Sequence, residues 1–600
     1  MATQGAAVAA VAVATMVAGV KGSDVYASTG SKVLDLYIML NRGLLESEIR
    51  TAVDSIVATG DKAQLEDAFV LLFQTRDIRG GKGERKLFEF LWAALATHRY
   101  DVSSSLFDLV PEYGCWQDLL PLATGPAKLK IYDLMLKQLQ LDEQALASYA
   151  AAVAAAAEKD AQFPALGGSA TPVPSKPKLS LVAKWLPREH SNRQEDRVHA
   201  SALAKQANPS SRAPQAEYRK RVTAVNKALD TLEITLCGGQ WATIDPSKVP
   251  GRARKQYRGA FLNKVPRGRP HGRKEPSTDP DRIACAERFV AHNAKAKKGE
   301  AKVNGADTVF PHELVKVAIS GQLDEAERDA TEAQWRAIWD KVRATGTLGR
   351  TLAMSDFSGS MASPDATPLH VSMALGLGIA ECNTGIFKGH LLTFDSTPTL
   401  HKFTAEGFCD RLAEVEGLAQ GLSTDFQAAY NLILEHLKRH AVPPGQEPTD
   451  LIVLTDMGFD AASRAGSDGW YSVDGRYNHA VKTKDQETHA QIARRAFRLA
   501  GETLWGEGKG WQAPRIVIWN LRAAYNDFQA TAMEEGVIQV SGWSPSLLRV
   551  LMTQGVDAMK PNAMLRVVLD DPRYNLVRSR VHALLNSPPK EEAVVTYWGC

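Results

Sequence analysis

From Gly349 onward, short apolar runs alternate with longer segments of helical periodicity, and this alternation constrains the fold more than any other feature. The runs have the length and apolar content of buried strands. They are RTLAMS, HLLTF, LIVLT, RIVIWN and VIQV, and the helical segments are TPLHVSMALGLGIAE, DFQAAYNLILEHLKRH and HAQIARRAFRLAGETLW. The alternation predicts a mostly parallel sheet covered by helices on both faces. In such a sheet, ligands gather at the carboxyl ends of the strands.

The chain before Gly349 has a different pattern, because its apolar residues recur at helical spacing over residues 34–139 and again to about Arg343. An Ala-, Gly- and Pro-rich segment between these parts predicts a helix that runs into a flexible insertion near 142–178. The predicted fold class is α + α/β, an all-helical repeat-like domain followed by a doubly wound sheet domain. We expect an Ala-rich tail (1–30), the helical domain (31–344), the sheet domain (345–556) and a C-terminal extension (557–600).

Composition places the chain among ordinary globular proteins, and its 600 residues exceed the size of one core. The net charge of +3 does not by itself indicate a polyanionic partner. The six cysteines form no CxxC pair, which favours a reducing compartment. The apolar run at 6–20 follows no basic residue and is short for a membrane span. We therefore expect a cytoplasmic or otherwise intracellular protein, without secretion or a membrane partner.

Oxygen-bearing side chains follow two of the predicted strands. Asp356 comes after RTLAMS and Asp456 after LIVLT, so both carboxylates are expected at one edge of the sheet. The remaining candidates are Ser358, Ser360 and, in a loop before a helix, Thr424. Such a set suits a small hard cation, Mg²⁺ or alternatively Mn²⁺ or Ca²⁺. In the structural alternative, Asp356 and Ser358 shape a turn, and Thr367 caps a helix begun by Pro368.

The segments DFSGSM, STDF and LTDMGFD resemble the three parts of the metal-ion-dependent adhesion site of von Willebrand factor A domains. The resemblance covers about residues 345–556. It implies that Asp356, Ser358, Ser360 and Thr424 are direct or near-direct ligands and that Asp456 acts directly or through water. Members of that family bind an acidic group of a partner at the open position of the metal. The resemblance thus implies binding rather than catalysis, although an ion with an open position can also activate water.

Further segments resemble a family that joins a helical N-terminal region to this A domain. They are RDIRGGKGER, YGCWQDLL, LVAKWLP, YRKRVT and SGWSPSLL. The layout is similar to that of the Ro autoantigen, whose TROVE module is a ring of helical repeats that binds RNA. RNA is therefore an implied partner. The glycine-rich RGGKGER loop lacks the spacing of a phosphate-binding loop, so we expect no nucleotide cofactor. Its glycines are expected to allow a tight connection between helices.

A run of basic residues within the helical region also favours RNA, because residues 248–274 contain no acid. Its members are Lys248, Arg252, Arg254, Lys255, Arg258, Lys264, Arg267, Arg269, Arg273 and Lys274. Tyr257 and Phe261 either stack on unpaired bases or form the core face of a helix. The leading hypothesis is a non-catalytic RNA-binding or ribonucleoprotein scaffold with a magnesium-dependent A domain. The alternative is a protein-interaction adaptor without RNA; the sequence does not indicate an oligomeric state.

Overall fold

The computed structural model describes most of the chain, and the fold is α + α/β. The described residues are 16–18, 24–26, 31–40, 44–162, 175–265, 274–305, 309–321, 323–346, 348–362, 366–394, 398–418, 426–456, 469–471, 477–479, 489–521, 537–541 and 561–587. Six strands form the main sheet. We number them β1 (Thr351–Asp356), β2 (His390–Phe394), β3 (Leu400–Lys402), β4 (Asp450–Thr455), β5 (Arg515–Asn520) and β6 (Val537–Ser541).

The strand order of the main sheet is β6-β5-β4-β1-β2-β3. Every neighbouring pair is parallel except β2 and β3, which are antiparallel. The chain moves outward from β1 to β3 and then returns to β4 on the other side of β1. The junction of β1 and β4 is therefore the topological switch point, where sheets of this kind form a crevice at the carboxyl ends of the strands.

All five predicted strands are confirmed, and so are the three helices predicted among them. Strands β1, β2 and β4 are buried along their whole length, as expected of parallel strands covered on both faces. The helices of this region are Thr367–Cys382, Phe408–Leu418, Phe426–Arg439 and His489–Trp505. Strand β3 was not predicted, because its three residues are partly exposed and form no apolar run.

One face of the sheet forms a core with the helices Phe426–Arg439 and His489–Trp505, where Met354, Val453 and Ile518 pack with Tyr430 and Phe497. Alternate residues of β1 face the helix Thr367–Cys382, toward which the hydroxyl of Ser355 donates a hydrogen bond to Ser372 O at 3.3 Å. The helix Glu325–Arg343 packs closely on Thr367–Cys382. A Cβ atom on Gly378 would lie 1.8 Å from Cζ2 of Trp339, so this contact requires glycine.

The described part of the chain divides into two compact units that cut across the predicted boundary at 344. The first combines Met1–Ala94 with Asp245–Arg578, and the second combines Leu95–Ile244 with Ser579–Cys600. Other helices of the first unit are Lys32–Met39, Glu46–Ala58, Lys62–Arg76, Gly251–Gln256, Arg258–Phe261, Pro280–Lys298, Pro311–Ile319 and Pro561–Leu569. Those of the second are Tyr100–Ser104, Val110–Tyr113, Ala127–Gln162, Val182–Trp185, Gln194–Ala207, Pro214–Ala228 and Leu232–Cys237. The unit boundaries at 94 and 578 fall inside Arg85–His98 and Asn575–Asn586.

The helix Ala127–Gln162 covers the first part of the segment in which a helix was predicted to run into a flexible insertion, near 142–178, and alanine has the highest intrinsic helix propensity. Residues 163–174 of that segment lie outside the described residues. In the expected N-terminal tail, Met16–Ala18 pairs with Asp24–Tyr26 as antiparallel strands. The loop after Asp456 contains a similar pair, Gly469–Tyr471 with Tyr477–His479. Among the described helices, none is both long and apolar enough to cross a membrane.

Candidate functional site

The carboxylate of Asp356 lies at the end of β1, at the switch point of the sheet, and the residue is only 4% exposed. The Ser358 backbone N–H donates to Asp356 Oδ1 at 2.8 Å. Thr455, the last residue of β4, donates its hydroxyl to Asp356 Oδ2 at 3.0 Å. Both oxygens are thus oriented by neighbouring groups. Asp456 follows β4 directly and is 1% exposed, so two buried carboxylates occupy the carboxyl ends of adjacent strands.

Two serine hydroxyls lie beside these carboxylates. Ser358 and Ser360 flank the exposed Gly359 at the start of a short 3-10 helix, Gly359–Ala362, and their Oγ atoms are 3.0 Å apart. Both serines are half-buried. The structure therefore brings together four of the five predicted ligands. The fifth, Thr424, lies outside the described residues.

The alternative role of Thr367 as a helix cap is wrong. The helix Thr367–Cys382 begins at Thr367 itself, so this residue lies within the first turn. The preceding residue, Ala366, has a φ of 53° and occupies the cap position without a side-chain hydrogen bond to the helix. The turn-shaping contact of Asp356 with Ser358 is present, and it does not compete with a ligand role because a carboxylate oxygen has two lone pairs.

Burial dominates the electrostatics of the site and raises the pKa of Asp356 to about 6. The charge of Asp456 raises this pKa further, whereas hydrogen bonds from Ser358 and Thr455 act in the opposite direction. Two nearby buried carboxylates favour either protonation or a bound cation. Within the described ranges, no three His, Cys, Asp or Glu side chains form a metal-binding group. The set at the switch point instead combines two carboxylates with hydroxyls, which fits Mg²⁺.

Several cations of the basic segment are engaged within the first unit. Arg254 is 2% exposed; its Nη1 donates to Asn293 Oδ1 at 2.6 Å, and its guanidinium lies over the ring of Phe289. Three further ion pairs join Lys255 to Glu313 at 2.8 Å, Arg258 to Glu327 at 3.7 Å, and Lys264 to Asp324. These four basic side chains stabilise the fold, so they are poorly placed to bind a polyanion.

The other members of the segment fall into two groups. Lys248, Arg252 and Lys274 are exposed, and Lys248 lies 3.6 Å from Asp245. The positions outside the described residues are Arg267, Arg269 and Arg273. Of the two aromatic residues, Phe261 is buried and stacks on Phe289 with ring centroids 4.3 Å apart. The core interpretation is thus correct for Phe261, and base stacking by this residue is ruled out by its burial.

The glycine-rich loop contains a buried lysine that sequence reasoning missed. A Cβ on Gly81 would lie 1.8 Å from Gln74 O, so glycine permits the close connection that was predicted. Lys82, 2% exposed, donates from Nζ to Tyr37 O at 2.6 Å and to Leu40 O at 3.0 Å. These carbonyls lie at the C-terminal end of the helix Lys32–Met39, where the helix dipole favours a cation. A lysine enclosed by glycines was the available signal for this capping role.

Comparisons with known proteins give two similarities. Residues 350–578 match the model of a domain of unknown function, DUF7788. This match extends past the predicted end of the sheet domain at 556 and includes the helix Pro561–Leu569. The chain is also 26% identical to an uncharacterized protein of Acanthamoeba polyphaga mimivirus over 558 residues, which cover 92% of this chain and 86% of the viral protein. Neither description names an activity.

Proposed function

We propose that the protein is a non-catalytic binding protein whose sheet, of the von Willebrand factor A type, holds a magnesium ion that binds an acidic group of a protein partner. The observation that carries the proposal is the pair of buried carboxylates, Asp356 and Asp456, at the ends of β1 and β4. The strand order and the position of this pair at the switch point support it, because ligands of doubly wound sheets bind there.

Each residue has a distinct role in this proposal. Asp356 and Asp456 would hold the ion with the hydroxyls of Ser358 and Ser360, and the family resemblance adds Thr424. The Ser358 N–H and the Thr455 hydroxyl orient the two oxygens of Asp356 before any ion binds. A bound magnesium ion supplies a Lewis-acidic position that a carboxylate can occupy. The half-buried serines keep that position open to a partner. Mn²⁺ offers the same octahedral chemistry, and Ca²⁺ offers a similar position with more oxygen ligands.

Magnesium-dependent stabilisation of the folded protein tests the first step of the proposal. Thermal melts in Mg²⁺ and in chelator should differ for the wild type, because an ion that binds only the folded state raises its stability. Asp356→Ala should remove this difference. Asp410→Ala provides the control, because it removes an exposed carboxylate on the helix Phe408–Leu418. An identical magnesium response of the wild type and Asp356→Ala would contradict the proposed metal site.

The partner class requires a separate measurement. An array of acidic peptides, each matched to an amide version with Gln and Asn in place of Glu and Asp, should bind the wild type in Mg²⁺ but not in chelator. Ser358→Ala combined with Ser360→Ala should weaken this binding. If the amide peptides bind as tightly as the acidic peptides, no carboxylate of the peptide coordinates the ion.

RNA binding is the second candidate function. The exposed side chains of Lys248, Arg252 and Lys274 favour it, because flexible surface cations can contact phosphates without disturbing the fold. The Ro-like layout implies the same partner. Nucleic acid that copurifies with the protein, and that ribonuclease removes, would support this function. Failure of the purified protein to bind any RNA would favour the adaptor.

A further inference from the structure

Three histidines meet at the amino end of β2, on the edge of the sheet opposite Asp356. His390 begins β2, His436 lies in the last turn of the helix Phe426–Arg439, and His440 follows one turn later. The ring centroids of His390 and His436 are 5.0 Å apart, and those of His436 and His440 are 4.4 Å apart. Phe387 packs against His390 and His436 and covers one side of the cluster.

Backbone carbonyls orient two of the three rings. His390 Nδ1 lies 3.1 Å from Lys388 O, so this nitrogen donates and Nε2 carries the lone pair. His436 hydrogen-bonds to the backbone of Ile386, and its Nε2 is buried with no hydrogen-bond partner among the described residues. A histidine whose second nitrogen donates to a carbonyl has the tautomer and orientation found at metal centres. Nothing in the proposed magnesium site uses these groups.

The 5.0 Å spacing of the His390 and His436 rings matches that of imidazoles that share one metal ion. A Zn–N bond of about 2.1 Å places each ring centroid about 3.2 Å from the ion, so at the tetrahedral angle two centroids lie about 5 Å apart. We propose that His390 and His436, completed by His440 and water, bind a nitrogen-preferring divalent metal such as zinc. No three ligating side chains of the described residues yet converge on one point, so the exposed His440 would turn toward the ion.

The surroundings of the three histidines set their protonation state and limit their affinity for a metal ion. Burial lowers the pKa of His436 to about 4, and the neighbouring His390, His440 and Arg439 add to this effect. Burial also lowers the pKa of His390, with Lys402 and His440 contributing. His390 and His436 are therefore mainly neutral at pH 7, which is the form that binds metals. The cations Lys402 and Arg439 oppose a divalent ion, so we expect micromolar rather than tighter affinity.

The histidine site is separate from the magnesium site in position and in chemistry. His390 and Phe394 occupy opposite ends of β2, and Phe394 pairs in register with Asp356. At about 3.3 Å per residue, the strand places the two edges about 13 Å apart. Oxygen donors at one edge select a hard cation, whereas imidazoles at the other select zinc, copper or nickel.

Zinc titration of the full-length protein, with Mg²⁺ saturating, tests the proposal. Calorimetry should find a zinc site in the wild type and in Asp356→Ala, so that failure of the magnesium site does not affect the result. His436→Ala should weaken zinc binding by tenfold or more. His582→Ala, which removes an exposed histidine from the helix Asn575–Asn586, should leave it unchanged. Co²⁺ in place of zinc should give the visible absorption of a four-coordinate site with imidazole and water ligands.

A second variant separates loss of zinc binding from loss of folding. His390→Gln keeps a polar side chain of similar length, and circular dichroism should show that it folds. Its affinity for zinc should also be at least tenfold weaker, and His440→Ala should weaken zinc binding by a smaller factor. Absence of zinc binding by the wild type would overturn the proposal. Unchanged affinity in folded His390→Gln or His436→Ala would overturn it equally.

Discussion

At the scale of single residues, the ionised carboxylate of Asp356 destabilises the metal-free protein. Its pKa of about 6 in the folded state exceeds the ordinary value of 3.8. The folded state therefore binds this proton more tightly, so the stability that Asp356 contributes is fully present below about pH 4 and is lost as the pH rises through 6. At pH 7 the charged form predominates, as the proposed metal site requires.

Asp356→Asn should therefore stabilise the metal-free protein at neutral pH. The shift corresponds to about 3 kcal/mol, and imperfect replacement of the hydrogen bonds reduces the expected gain to about 1–3 kcal/mol. Urea unfolding in chelator at pH 5 and pH 8 measures it. The gain should be larger at pH 8, and the variant should show no magnesium response. Equal pH dependence of the two proteins would contradict the assignment of this titration to Asp356.

Lys82 predicts a stability change in a different pH window. Burial lowers its pKa to about 7, below the ordinary value of 10.5, so the folded state binds this proton less tightly. Stability from this group should rise with pH between about 7 and 10.5. The free energy of unfolding of the wild type should thus increase relative to Lys82→Met from pH 7 to pH 10, by about 2–4 kcal/mol. Lys86→Met, which replaces a neighbouring exposed lysine, should show no such change. If the difference in the free energy of unfolding between the wild type and Lys82→Met does not change with pH, the lowered pKa of Lys82 is disproved.

At the scale of elements, the apolar pattern of the sequence predicted those strands and helices that local sequence alone determines. Buried parallel strands consist of apolar runs, and Asp356 and Asp456 were correctly placed because each directly follows such a run. Pattern could not reveal that Arg254 is buried, since its partner Asn293 lies on the distant helix Pro280–Lys298. Strand β3 was missed for a related reason, because its pairing with β2 rather than its own three residues defines it.

The helix Thr367–Cys382 should tolerate no side chain at Gly378. Gly378→Ala would force Cβ into the ring of Trp339 and should lower the free energy of unfolding by about 1–3 kcal/mol, as overpacked cores do. Gly417→Ala is the matched control. No atom lies within 4 Å of its Cβ position in the helix Phe408–Leu418, so it should stabilise by about 0.5–1 kcal/mol. Thermal melts of the two variants should shift in opposite directions; equal shifts would refute the tight packing.

For the second candidate function, RNA binding, only the exposed members of the basic segment should contribute to the affinity. Lys248→Gln combined with Arg252→Gln should reduce the slope of log affinity against log salt by about 1.4, the value for two lost contacts to single-stranded RNA. Fluorescence anisotropy at several salt concentrations measures the slope. Lys86→Gln serves as the control. Arg254→Gln should instead lower the melting temperature, because it leaves Asn293 and the Pro246 carbonyl without their buried donor. An unchanged slope in the double variant would remove this segment from the RNA interface.

At the scale of the whole molecule, the first compact unit is discontinuous in sequence. Arg578 contacts Glu66 and Asp67 at 2.9 Å each, and Arg573 pairs with the fully buried Asp77. The expected boundary at 556 separated these partners, because no local pattern reports a pairing across about five hundred residues. The match to DUF7788 through residue 578 agrees with the inclusion of the C-terminal helices.

Ending the chain at residue 556 should therefore destabilise the first unit. The deletion leaves Asp77 buried without Arg573 and the Tyr574 hydroxyl, and a buried charge that loses its partner typically costs about 3–5 kcal/mol. The melting temperature of the shortened protein should be well below that of a chain that ends at 587 and retains the helix Asn575–Asn586. Equal melting temperatures would show that the terminal helices do not stabilise this unit.

The pairing of Asp77 with Arg573 also concerns how the protein is made. Synthesis proceeds at about 5–20 residues per second, and 496 positions separate the two side chains. Asp77 thus leaves the ribosome about 25–100 s before its partner exists. During that interval Glu66 and Asp67 of the helix Lys62–Arg76 also lack their partner Arg578, which is still untranslated. These ion pairs of the first ninety residues can therefore form only when translation is nearly complete.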